Sequence, residues 1–252
     1  MKITSTDQLG QNALKILVYG ESGAGKTSLA KTIKEPMLII SAEAGLLPLR
    51  KEKIDVFDIT KADDGSLVPK EERIKRVQDV YKFLLTDEAQ KKYKWIYIDS
   101  LSELSQNLIE SLYVEFPERN QTLPMYGELN KRTRSLVKAF RDLPHYSVVF
   151  TALSEVDKDE NGVRIMQPTL IGKFATQLPA LLDEVFFLHS EKNEETGDVK
   201  RVLVTQKTDR LVAKDRSGSL DRIEAADLGL IAKKIRESTE KNAVKQKGET
   251  KQ

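Results

Sequence analysis

Ile16-Leu17-Val18-Tyr19-Gly20-Glu21-Ser22-Gly23-Ala24-Gly25-Lys26-Thr27-Ser28 is the stretch on which the fold turns. It fits the phosphate-binding P-loop pattern G-x-x-x-x-G-K-[ST], with Gly20, Gly25, Lys26 and Thr27 in the required places. Its flanks agree with the motif. Leu14 to Tyr19 is an apolar run that reads as a buried strand, and Thr27 to Ile33 reads as a short helix. Phosphate binding needs this order, because glycine lets successive backbone N–H groups curl around an anion. The helix N-terminus then adds a partial positive charge. Gly20, Glu21, Ser22, Gly23, Ala24, Gly25, Lys26, Thr27 and Ser28 are therefore the candidate nucleotide-binding residues. Among them, Lys26 can neutralise the β and γ phosphates, and the Thr27 hydroxyl can ligate Mg²⁺. A Gly-rich turn that matches by chance is the competing reading, and the strand before and the helix after weigh against it.

Working outward, Met37 to Ile40 predicts a second strand after Pro36, running into Ser41-Ala42-Glu43-Ala44-Gly45-Leu46-Leu47-Pro48. A carboxylate at the carboxyl end of a parallel strand lies on the ligand side of the sheet. Glu43 is thus placed either to polarise a water against a γ-phosphate or to cap the following turn, and position alone leaves both open. Tyr93-Lys94-Trp95-Ile96-Tyr97-Ile98-Asp99-Ser100 is a hydrophobic strand ending in an acid, the Walker B pattern, so Asp99 is expected to hold Mg²⁺ beside the P-loop. Capping of the next helix, predicted over Leu101 to Phe116 from the spacing of Leu101, Leu104, Leu108 and Leu112, is compatible with that role.

Gly-Glu-Ser-Gly-Ala-Gly-Lys-Thr at 20–27, followed by a strand ending Ala42-Glu43-Ala44-Gly45-Leu46-Leu47-Pro48 and another ending Asp99-Ser100, resembles the RecA/RadA recombinase core. The likeness spans roughly residues 14–225. SAEAGLLPL, WIYIDSLSEL and TDRLVAKDRSG are similar to small phage-encoded RecA-like ATPases that assist single-strand annealing and recombination. The resemblance implies ATP and Mg²⁺ as cofactors, Thr27 and Asp99 at the metal, and Lys26, Glu43 and Asp99 as the catalytic set. In it Glu43 activates the attacking water. It also implies a homo-oligomer, ring or filament, in which Lys207 and Arg210 reach the neighbouring subunit's nucleotide. Single-stranded DNA is the implied partner, with a single-strand-binding protein as a further one. DNA-contacting loops in such proteins fall near residues 115–125 and 154–173, and the DNA-binding candidates that the resemblance implies are Arg132 and Arg134 on the basic helix after the first loop and Lys158 and Arg164 in the second. One departure stands out: where the family has a γ-phosphate sensor, often Gln, this chain has Leu153, Ser154 and Glu155.

The residues of those regions carry readings of their own. The helix predicted over Tyr126 to Leu143 bears Lys131, Arg132, Arg134, Lys138 and Arg141, which suit a phosphate backbone, an acidic neighbour or a solvated face. Asn161-Gly162, in the middle of the long stretch Ser154 to Lys173, is a hairpin-turn signal. Lys70 to Tyr93 reads as one amphipathic helix and Phe174 to Leu182 as a short one.

The order of elements predicts an α/β P-loop NTPase of RecA-like type. Its mostly parallel central sheet is flanked by helices and followed by a C-terminal β-hairpin over Asp183 to Thr205. The expected divisions are a leader at 1–13, the ATPase core at 14–230 and a basic, flexible tail at 231–252, the last with seven Lys and Arg against three Glu. A chain of 252 residues suits one such core. The net charge of only +2 means that any nucleic-acid surface must come from local clustering. Absence of cysteine excludes disulfides, thiol chemistry and cysteine-based zinc sites. Short apolar runs and an N-terminus unlike a signal peptide point to no membrane association and a cytoplasmic protein, in the host cytoplasm if phage-encoded. The expected function is ATP hydrolysis coupled to single-stranded-DNA binding and annealing or recombination. The alternatives are a P-loop switch or small-molecule kinase without a nucleic-acid role, and a packaging accessory ATPase.

Overall fold

The computed structural model describes residues 13–43, 45–119, 122–158, 162–192 and 194–249. Among them, ten strands form one sheet system. They are β1 (Lys15–Gly20), β2 (Met37–Ser41), β3 (Asp55–Asp58), β4 (Trp95–Asp99), β5 (Ser147–Lys158), β6 (Arg164–Pro168), β7 (Glu184–Lys192), β8 (Val199–Val204), β9 (Lys214–Asp215) and β10 (Ile223–Ala225). The helices are α1 (Lys26–Leu29), α2 (Arg73–Leu84), α3 (Asp87–Lys92), α4 (Leu101–Glu115), α5 (Leu123–Arg141), α6 (Leu178–Leu181) and α7 (Leu228–Glu249).

The sheet order is β10-β8-β7-β1-β5-β4-β2-β3, parallel from β7 to β3 and antiparallel from β7 outward to β10. This is the α/β P-loop fold of RecA-like type, with β5 inserted between the P-loop strand β1 and the acid-bearing strand β4. Alternate residues of the central strands feed two buried layers, because successive side chains of a strand point to opposite faces. Leu17, Tyr19, Ile96, Ile98, Val148 and Phe150 pack with Val137 and Phe140 of α5 and Val77 and Val80 of α2. Ile16, Val18, Tyr97 and Val149 pack with Leu29 of α1 and with Leu228, Ile231, Ala232 and Ile235 of α7. Strands buried on both faces need near-continuous apolar runs, which is what LKILVY and WIYI supply. Each fully buried side chain of this size contributes about 1.5–3 kcal/mol of transfer free energy.

Several boundaries differ from the sequence expectation, each for a local reason. The single helix expected over 70–93 breaks after Leu84, and Thr86 starts α3 by accepting the Ala89 N–H at 3.3 Å. Helix α5 begins three residues early, at Leu123, with Pro124 in its first turn, where a missing N–H costs nothing. The stretch 154–173 is in large part a hairpin: β5 runs on to Lys158 and pairs antiparallel with β6, Lys158 opposite Arg164. Gly162 has a φ of 78°, as a tight turn requires, while its predicted turn partner Asn161 lies outside the described residues. The boundary expected at residue 230 falls inside α7, whose Ile231, Ala232 and Ile235 belong to the core. The expected leader lies almost wholly outside the described residues. No helix among the described residues is long and apolar enough to cross a membrane.

Candidate nucleotide site

The P-loop leaves the carboxyl end of β1 and enters α1. Gly23 and Gly25 take φ of 78° and 105°, the left-handed region in which a side chain is strained. The Lys26 ammonium donates to the carbonyls of Gly20 and Glu21, both at 2.8 Å, and so folds back across the loop. Only 9% of Lys26 is exposed. Burial lowers its pKa from the ordinary lysine value, and the Asp99 and Glu43 carboxylates oppose that shift. The first turn of α1 is anchored from the adjacent layer, where the fully buried Tyr97 hydroxyl donates to Lys26 O at 2.6 Å. Burial raises the Tyr97 phenol well above its usual pKa, keeping it a donor.

Parallel register brings the two acids to the same end of the sheet, Ser41 of β2 lying opposite Asp99 of β4. Asp99 is 4% exposed and accepts two hydroxyl hydrogen bonds: Thr27 Oγ1 donates to Oδ2 and Thr151 Oγ1 to Oδ1, both at 2.6 Å. Thr27 and Asp99 thus place two hard oxygen donors side by side, the donor chemistry that Mg²⁺ takes from proteins when phosphates supply the rest. Among the described residues there is no cluster of three or more His, Cys, Asp or Glu to hold a metal by itself. The peptide between Asp99 and Ser100 is cis. Ser100 caps α4 by accepting the Glu103 N–H at 3.3 Å, and its hydroxyl donates to the Glu43 carboxylate in a short hydrogen bond. The Glu43 side chain therefore lies against the residue after Asp99, and its main-chain carbonyl accepts from Ser41 Oγ at 2.6 Å.

Two contributors were not singled out by the sequence. Thr151 sits in the apolar run of β5 and is fully buried, and a hydroxyl in such a run is the one signal it offered. Arg201, on β8, donates from Nε to Ala24 O at 2.9 Å. Ser154, one of the three residues at the sensor position, has a buried hydroxyl without a hydrogen-bond partner and lies opposite Pro168 of β6. Replacing Thr151 with Val keeps the shape of the side chain but leaves Asp99 Oδ1 unsatisfied. The expected loss of stability is about 1–3 kcal/mol, read by urea unfolding. A change below about 0.5 kcal/mol would mean that water replaces the hydroxyl at no cost.

The basic candidates differ in the partners they meet. Arg132 is engaged by acids of its own chain, with its fork on Glu115 at 2.6 and 2.7 Å and its Nε on Glu128 at 2.8 Å. These bonds raise its pKa and lower those of both carboxylates. The acidic-neighbour reading of α5 is thus the one its geometry supports at Arg132, for Glu128 lies one turn away on the same helix. Arg134 donates to Gln177 and lies over the Phe174 ring, 5.8 Å from its centroid. Lys158 and Arg164 are exposed on the β5–β6 hairpin. Lys207 lines, with Lys158, Gln167 and Lys214, a cavity of about 740 Å³ beneath that hairpin. The Arg210 carbonyl accepts from Met166 N at 2.8 Å, which puts both trans candidates beside β6.

Comparison with curated proteins finds no match. A KaiC-like protein of the hyperthermophilic archaeon Pyrococcus horikoshii OT3 aligns with 82% of this chain and 86% of its own, at 16% identity and a TM-score of 0.41. An ATPase from the type III secretion system of pathogenic bacteria aligns with 70% of this chain and 51% of its own, at 16% identity and a TM-score of 0.49. The model of the AAA domain family matches residues 12–217, which take in the P-loop, both acids and the β7–β8 hairpin. With that match over most of its length and the P-loop geometry described, the chain belongs to the AAA domain family of P-loop ATPases.

Proposed function

We propose that the protein is a Mg²⁺-dependent ATPase that binds single-stranded DNA and promotes its annealing or recombination as an oligomer. The observation that carries the nucleic-acid part is the course of β5. This strand pairs with both β1 and β4, gives Thr151 to Asp99, and continues as the exposed hairpin. At that hairpin Lys158 and Arg164 lie directly opposite each other. Like charges in a cross-strand pair destabilise a hairpin, and a phosphate between them would remove that cost. One continuous strand then joins the nucleotide site to the DNA contact.

In the ATPase half, Lys26 binds the β and γ phosphates, and Thr27 and Asp99 would hold Mg²⁺, which when bound would neutralise charge on the phosphate oxygens. Glu43 takes a proton from water as its oxygen bonds to the γ-phosphorus. The bond to the bridging oxygen breaks, and ADP and phosphate leave. Lys207 and Arg210 are proposed to act across a subunit boundary.

The test is binding of a labelled oligonucleotide across a salt series with ATP and Mg²⁺. Affinity should fall steeply as salt rises, and Lys158→Ala with Arg164→Ala should weaken it for all sequences alike. The logarithmic salt slope should flatten by about 0.7 for each cation lost. Arg132→Ala should leave binding unchanged, because its charge is already matched by Glu115 and Glu128. A wild-type protein that binds no oligonucleotide at low salt would remove the DNA reading and leave a P-loop switch or kinase.

A further inference from the structure

The P-loop has a partner that its motif does not contain. Arg201 of β8 reaches Ala24 O through Nε. The approach depends on residue 25 being glycine, for a Cβ there would lie 2.7 Å from Arg201 Nε and 3.2 Å from its Cδ. Topology brings the arginine there. Strand β7 pairs with β1, and Ser190, near the carboxyl end of β7, lies opposite Arg201. Gly25 therefore meets two demands at once, a φ of 105° and the passage of a guanidinium stem.

The consequence follows from the peptide bond. In a trans peptide the C=O of one residue and the N–H of the next point in opposite directions. A carbonyl held at residue 24 fixes the direction of the Gly25 N–H. Glycine-rich loops can reverse such a peptide unit at little cost, which would turn the N–H away from an anion and present an oxygen in its place. We infer that Arg201 is a positioning residue for nucleotide binding: its Nε–H clamps the Ala24–Gly25 peptide so that the Gly25 N–H faces the bound phosphates. This rests on the P-loop acting as the nucleotide site and adds to that site a residue from the far side of β7.

Two substitutions separate the hydrogen bond from the charge. Arg201→Gln places an N–H donor the same number of bonds from Cα as Nε, without the guanidinium charge. Arg201→Met has the same length and no donor. Titration calorimetry with ADP and Mg²⁺ reads the affinity, and thermal unfolding without nucleotide checks the fold. Arg201→Met should bind ADP about tenfold more weakly, with the unfolding temperature unchanged, whereas Arg201→Gln should stay within about twofold of wild type. Equal weakening by both variants would assign the effect to charge and overturn the clamp. Wild-type affinity in both would overturn any role. A wild-type protein that fails to bind ADP would instead defeat the P-loop reading itself, and Lys26→Ala provides the non-binding reference for that comparison.

Discussion

Lys26→Ala is expected to abolish productive ATP binding and turnover while the fold survives. The Lys26 ammonium is held by two main-chain carbonyls of the loop, and the anchor from Tyr97 goes to the Lys26 main-chain carbonyl, which alanine keeps. Burial already costs it part of its hydration. An ammonium with few waters left to shed interacts strongly with incoming phosphate, because charge–charge attraction grows as the local dielectric falls. Hydrogen bonds to charged groups contribute about 1.5–3 kcal/mol each, so two lost phosphate bonds correspond to at least a hundredfold in affinity. Alanine also removes the ammonium that interacts electrostatically with Asp99 and Glu43, which further disfavours a polyanion. Binding of a fluorescent ATP analogue and phosphate release measure the two losses, and circular dichroism checks the fold. Turnover at the wild-type rate in a folded variant would remove the P-loop from the mechanism.

How legible each part was depended on how local its cause is. The P-loop and Asp99 were readable because each is a short run whose chemistry and secondary structure are set by neighbours in sequence. The parallel sheet was readable from β1, β2, β4 and β5 for the same reason, since strands buried on both faces must be apolar throughout. Thr151 and Arg201 were not. Alternation along a strand tells which face a residue takes, but it does not tell which strand lies next to it. Thr151 meets Asp99 only because β5 is inserted beside β4, and Arg201 meets Ala24 only because β7 pairs with β1 and β8 folds back on β7.

Two further features lay beyond a count of charges. The stretch from residue 231 is rich in charge and poor in large apolar side chains, yet Leu228, Ile231, Ala232 and Ile235 keep the spacing of one helical stripe. Leu228, the first residue of that stripe, stands before the charge-rich stretch that begins at 231. On α5 the basic count was correct, but a count cannot register that Glu115, on another helix, meets Arg132 with both carboxylate oxygens. Sequence showed the charge of that face and not its local neutralisation.

Glu43→Gln is expected to retain ATP and to hydrolyse it about 10²–10⁴-fold more slowly, the usual cost of losing a general base. The substitution is informative because of what holds Glu43 in place. Its carboxylate accepts the Ser100 hydroxyl, and the amide oxygen of glutamine can accept it equally well. The side chain should therefore keep its position beside Asp99, and only its capacity to take a proton is lost. Ser100 retains its cap on Glu103 N–H in either case, so helix α4 and the placement of Asp99 should not change. Lys26 and the loop are untouched, which leaves the phosphate contacts in place. Single-turnover hydrolysis, with ATP affinity measured separately, divides binding from chemistry. A carboxylate that merely fastened β2 to α4 would be replaced by the amide with little effect. Turnover within a few-fold of wild type would accordingly reduce Glu43 to that structural part, and the water-activating group would have to be sought elsewhere.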